Sequence, residues 1–213
     1  MGKRVKIVLA SVALALVGVI GWQVAKPSEP EPVYQGKRLS ELVKADWRLD
    51  SSGRLVVVVD QPEVMEAVDQ IGTNAIPTLL RWMAARNSAL KLGLMNVILR
   101  LPIIKVQFIP ASAWNFAAYR SFQVLGTNAQ AAVPGLIQIG SENRPSRLLV
   151  ARSLGLIGPP ADAAVPPLVS WATRESNWRT RAVSIQSLGE IHARPEKVIP
   201  VLLNSLQDTN QQI

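Results

Sequence analysis

The chain has 213 residues, 48% of them apolar, enough to bury a sizeable core in one domain or two small ones. It has no cysteine and a single histidine, His192, which excludes disulfides, thiolate nucleophiles and metal sites built from Cys or from several His, so no metal or cofactor is expected. The net charge of +8 is uneven: Lys3, Arg4, Lys6 and Lys26 stand with no acid among the first 26 residues, and the remaining 19 basic against 15 acidic residues make a body too mildly basic to favour nucleic acid as the partner.

Residues 7–25, IVLASVALALVGVIGWQVA, carry no charge, and a helix of that length at about 1.5 Å per residue matches the hydrocarbon core of a bilayer. A single-pass transmembrane helix is expected, with Trp22 at the interface. The basic cluster at residues 3–6 should stay cytoplasmic, placing everything after Lys26 in the periplasm or otherwise outside the cytoplasm. A cleaved signal peptide is the alternative, with Val19, Ile20 and Gly21 as a small-residue site. Against it, the apolar run exceeds the usual 7–15 residue core of such peptides, and Gln23 spoils a cut after Ala25. Residues 1–26 therefore read as an inner-membrane anchor.

Residues 27–38 form a linker, made stiff and extended by Pro27, Pro30 and Pro32. A short helix is predicted from Ser40, with Leu39, Leu42 and Val43 as its apolar contacts. LVVVVD at 55–60 reads as an extended strip, so residues 39–60 make an irregular lead-in to a repeat domain over 61–213.

The repeat shows in LGLIGPPADAAVPPL at 154–168 and LGEIHARPEKVIPVL at 188–202, which share a skeleton of Leu, Gly, Ile, Pro and Leu 34 positions apart. A phrase returning at that period marks one structural unit stacked on the next. Aligned without a gap, residues 141–174 and 175–208 share eight identities, among them Arg147/Arg181, Ser153/Ser187, Gly155/Gly189 and Pro166/Pro200. Before each Pro a first helix is predicted, with Leu148, Ala151 and Leu154, or Ala182, Ile185 and Leu188, on its apolar face. After it comes a second helix, because Pro at the first helical position loses no hydrogen bond and presets the backbone.

Four second helices are predicted, starting at Pro77, Pro134, Pro166 and Pro200. Their apolar faces are Leu79, Leu80 and Met83; Leu136 and Ile137; Leu168, Val169 and Ala172; Leu202, Leu203 and Leu206. The 57 positions between Pro77 and Pro134 exceed one unit, so residues 89–110 are expected to hold a helix ended by Pro102 and an extended link. Trp114, Ala118 and Phe122 share a helical face and read as core.

With its Leu-Gly-x-Ile runs at Leu154 and Leu188, the preceding Arg147 and Arg181, and Ala-Val-Pro-x-Leu at 132–136 and 164–168, the chain resembles the HEAT-repeat superfamily. More closely it is similar to short bacterial HEAT-like repeats also found in phycobiliprotein lyase subunits, and to anchored or secreted bacterial HEAT proteins in which YQGK follows the apolar segment and GTNAIP opens the repeats. The resemblance spans about residues 61–208. It implies an all-α, armadillo-like helical fold: an α-solenoid, a right-handed superhelix of about four helix pairs, whose second helices line the concave side. It also implies that Arg147 and Arg181 form a ladder, each satisfying a nearby carbonyl or carboxylate. Two departures stand out. His192 takes the place of Gly158, and Asn115 stands where the repeat Arg is expected, so the second copy should lack that contact. A solenoid end needs a polar cap, and after Asp208 another first helix is expected; a partner, a homo-oligomer or a missing repeat is therefore anticipated at that end.

On the second helices the face away from the core lies one, four and eight residues after Pro, with the fifth at its margin. This gives a protein-binding surface of Arg81, Trp82, Gln138, Ser170, Trp171, Arg174 and Asn204, with Ile139 and Asp208 beside them. The competing reading has Trp82 and Trp171 filling gaps between repeats. Asp162 and Glu196 align in one turn and read as helix caps, and His192 as a polar loop residue. No phosphate loop, nucleophile elbow or zinc spacing is present, so no catalytic residue is expected. The expected function is a non-enzymatic protein-protein scaffold at the inner membrane. The alternatives are a subunit of a lyase-type enzyme and a weak binder of nucleic acid or acidic ligands through the carboxy-terminal arginines.

Overall fold

The computed structural model describes residues 30–45, 47–49, 55–56, 62–87 and 109–206. The apolar segment 7–25 and the stretch 89–108 lie outside the described residues, and among those described no helix is long and apolar enough to cross a membrane.

A two-residue hairpin opens the described fold, β1 (Val33–Tyr34) against β2 (Lys37–Arg38), and runs into α1 (Leu39–Ala45), which buries Leu39, Leu42 and Val43. A second antiparallel pair follows, β3 (Arg48–Leu49) with β4 (Leu55–Val56). Helix pairs make up the rest. The first helices are α2 (Pro62–Ile71), α4 (Ala111–Leu125), α6 (Arg147–Ile157) and α8 (Trp178–Ile191). The second helices are α3 (Ile76–Ala84), α5 (Val133–Glu142), α7 (Val165–Arg174) and α9 (Pro195–Ser205). Each first helix packs on the next, α2 on α4, α4 on α6 and α6 on α8, so one seam of Phe122, Leu154, Ile157, Leu188 and Ile191 runs between them fully buried. Such stacking buries a continuous core that no pair could bury alone.

Three of the four turns between first and second helix are 3-10 segments: Gly72–Ala75, Gly126–Ala132 and Pro159–Ala164. Each leads directly into the α-helix that follows, so Pro77, Pro134 and Pro166 sit at the second helical position, where the backbone N–H has no intrahelical partner to lose. Gly72, Gly126 and Gly158 open these turns with φ of 60°, 50° and 72°. In the fourth copy His192 takes that place at φ 52°, with Nδ1 2.9 Å from the Glu190 carbonyl oxygen.

The fourth copy departs further. Its second helix begins at Pro195, and Pro200 lies inside it rather than at its start. Pro195 fits the first helical position, and the Lys197 and Val198 amides open the helix by donating to the Arg194 carbonyl at 2.9 and 3.1 Å, so residues 192–194, without regular structure, stand in place of the 3-10 turn of the other copies. Pro200 then removes only the hydrogen bond that the Glu196 carbonyl would accept.

The buried faces of α6 and α8 keep the expected Ala151, Leu154 and Leu188 and are otherwise rotated from the expected ones. Leu148, Ala182 and Ile185 are half-buried, while Val150, Ser153, Val183, Ser184 and Ser187 are buried. The serines fit because each hydroxyl donates to the carbonyl four residues back: Ser153 to Leu149 at 2.9 Å, Ser184 to Thr180 and Ser187 to Val183 at 2.8 Å. The Ser187 hydroxyl also reaches the Ala151 carbonyl at 2.8 Å, where α8 approaches α6 closely beside Gly155.

Candidate functional site

The candidate surface divides into two kinds of residue. Gln138, Ser170, Arg174 and Asn204 are exposed, as their positions on the second helices require. The Gln138 amide donates to Glu142 at 3.0 Å, one turn on, and Asn204 lines a shallow groove of about 200 Å³ with Thr173, Arg181, Ile185 and Ser205. Arg81 is half-buried and donates to the Thr78 hydroxyl at 2.9 Å. Ile139 is half-buried, and Asp208 lies outside the described residues.

Trp82 and Trp171 do not belong to the exposed surface. They are only 7% and 6% exposed. Trp82 lies 5.1 Å from the ring of Trp114, which in turn meets Trp47 edge-on at 4.8 Å. Trp171 projects toward α5, its ring edge where a side chain on Gly140 would stand: a Cβ there would come within 2.3 Å of the ring. Position five after Pro lies at the margin of the face, and an indole at a margin is large enough to turn inward and cover the joint between repeats.

That joint is also where the ladder sits. Arg147 donates through Nε to the Gly140 carbonyl at 2.8 Å, through Nη2 to the Ser141 carbonyl at 3.3 Å, and through Nη1 to the Glu175 carboxylate. Its guanidinium lies 5.3 Å from the Trp171 ring centre. Glu175, with a side chain 7% exposed, takes a second cation, Arg144, at 3.5 Å. Arg181 repeats the arrangement one copy on, donating to the Glu175 and Ser176 carbonyls at 3.2 and 3.4 Å. These guanidiniums supply donors to carbonyls that a helix end leaves without partners.

The second copy keeps the contact with a shorter side chain. The Asn115 amide donates to the Trp82, Met83 and Ala85 carbonyls at 2.8, 2.9 and 3.2 Å, which serves the end of α3 as the arginines serve α5 and α7. The expectation that this copy lacks the contact is overturned. An amide suffices because α4 brings Asn115, 6% exposed, directly against the end of α3.

Asp162 is not a helix cap. It accepts a two-pronged pair from Arg194, Nε and Nη2 each at 2.7 Å, which ties the turn of the third copy to that of the fourth. The hydrogen bonds from Arg194 hold the Asp162 carboxyl below the usual carboxylate range, and they raise the guanidinium in turn. No signal in the sequence marked this pair, since the partners lie 32 positions apart and only the turn geometry brings them together.

Stacked helix pairs with carbonyl-capping arginines define the class: an all-α repeat solenoid. The family model described as HEAT repeats matches residues 133–213, from α5 through α9 and on to residues beyond those described, so this part of the chain is similar to HEAT repeats. No curated protein and no solved structure matches the chain.

Proposed function

We propose that the chain is a non-enzymatic scaffold that binds a protein partner along the exposed side of its second helices, anchored by residues 7–25 so that the repeats stand outside the cytoplasm. The observation that carries the reading is the polar row of Gln138, Ser170 and Asn204, one position repeated on successive second helices, with Arg174 one turn beyond Ser170, held over a tightly packed core. Recurring exposed side chains on rigid, similarly placed helices give an extended surface that needs no moving part. The HEAT-repeat match supports the same reading, because such repeats generally serve as protein-interaction scaffolds. The anchor rests on the length and apolarity of residues 7–25 and the basic residues before them.

Site-specific photocrosslinking of the full chain in cells tests the surface. A photoreactive residue at Ser170 or Gln138 should give a discrete crosslinked partner, and one at Arg152, exposed on the first helix α6, should not. Equal crosslinking from Arg152, or none from Ser170 and Gln138, removes the reading.

A further inference from the structure

The third copy fills the space beside its ladder residue with charge. Arg144, Arg147 and Glu175 meet there, and the carboxylate is almost wholly buried between the two guanidiniums. A shift of 32 positions, the distance from Pro166 to Pro134, carries this triad onto Ser112, Asn115 and Asn143 of the second copy. All three are shorter and none is charged. The space they leave is open: Ser112, Asn115 and Asn143 line a cleft of about 560 Å³ between the ends of α3 and α5 and the start of α4. Its volume lies within the range of about 300–1,000 Å³ that small-ligand sites occupy.

Among the described residues, the charged groups lining this cleft are Arg86, Arg144 and Glu142. Arg86 is exposed at the end of α3. Arg144 is 71% exposed and shares Glu175 with Arg147, so one carboxylate serves two cations there. Glu142 is engaged by the Gln138 amide. These described lining residues carry one net positive charge, and a guanidinium's planar fork matches a carboxylate better than a point charge does.

We infer that this cleft receives the side-chain carboxylate of an acidic residue in a peptide segment of the partner, set between Arg86 and Arg144 as an external counterpart of the Glu175 carboxylate that the next joint supplies from within the chain. The inference rests on the scaffold reading and names the chemistry of what is held. A monoanion balances the single net positive charge of this lining, whereas a dianionic phosphate would leave one uncompensated negative charge in the cleft. Asn115 and Asn143 keep the floor polar without adding a competing cation.

The test is selection of random 12-residue phage-displayed peptides on the full chain in detergent, followed by fluorescence polarisation with the best peptide. Enriched peptides should share Asp or Glu at one position, and its replacement by the amide should weaken binding about tenfold or more, the loss typical of breaking a charge-assisted pair. Arg86→Gln and Arg144→Gln should each weaken binding to a similar degree, whereas Arg152→Gln, on the far helix, should not. The double variant Asn115→Arg, Asn143→Glu rebuilds the internal pair and should abolish binding while the far-ultraviolet circular dichroism stays unchanged. Enrichment without an acidic position, tighter binding of a phosphoserine version, or undiminished binding to Arg86→Gln overturns the inference. Peptides lost on Ser170→Arg but kept by Arg86→Gln overturn the cleft alone and leave the second-helix face standing.

Discussion

The third and fourth helix pairs share a repeat skeleton of eight identities and differ in what surrounds them. In the third, Leu168 and Ala172 of α7 are buried, and α6 and α7 are both covered by α8. In the fourth, the matching Leu202 is half-buried, Leu203 is 59% exposed and Leu206 82% exposed. The repeat sequence specifies where a helix starts and which side chains share a face. Whether that face is buried is decided by the neighbour.

Truncation of a buried leucine of α7 and an exposed leucine of α9 tests this most severely. Leu168→Ala should lower unfolding stability by about 2–5 kcal/mol, whereas Leu203→Ala should change it by no more than about 0.5 kcal/mol. Urea titration of both variants checks it; similar losses would mean that α9 is covered in solution. The paired glycines give a smaller and more pointed contrast. A Cβ on Gly155 would stand 3.0 Å from the Ser187 backbone Cα and 2.8 Å from its Oγ, while one on Gly189 meets nothing within 4 Å. Gly155→Ala should therefore cost about 1–3 kcal/mol, and Gly189→Ala should gain up to about 1 kcal/mol from helix propensity. Thermal melts of opposite sign would confirm that one glycine is held by packing and the other is not.

The smallest effect concerns the link between the two turns. Because Arg194 depresses the Asp162 carboxyl, the pair stabilises the fold above the ordinary carboxylate pKa of about 4, and that contribution is lost as pH falls through the lower folded value. Wild type and Asp162→Asn should differ in melting temperature at neutral pH and converge in acid. A difference that persists below the folded pKa would assign the stabilisation to something other than this ion pair.

What the sequence made legible follows from how far each signal reaches. Pro77, Pro134 and Pro166 act on their own backbone, so the second helices start within one residue of the expected place. Pro200 misled because Pro195 offered an earlier start equally acceptable to the backbone. Ser153, Ser184 and Ser187 were invisible as core residues, since a hydroxyl reads as surface until its bond to the preceding turn is seen. Trp82 and Trp171 lay at a face margin, where size, not periodicity, decided that they turn inward. The exposed row Gln138, Ser170 and Asn204 needed only helical geometry. The cleft between Arg86 and Arg144 needed the loop ends in three dimensions.

The aromatic grouping gives the molecule an optical label for its amino-terminal end. Trp47, Trp82 and Trp114 are close enough, at 4.8 and 5.1 Å between rings, for their excited states to couple and produce a near-ultraviolet dichroic signal of their own. Trp171 and Trp178 instead face the guanidiniums of Arg147 and Arg179 at 5.3 and 4.9 Å. Loss of the coupled signal therefore times the opening of the amino-terminal end, and its timing against the loss of helical dichroism from the whole stack reveals uneven melting without adding a dye.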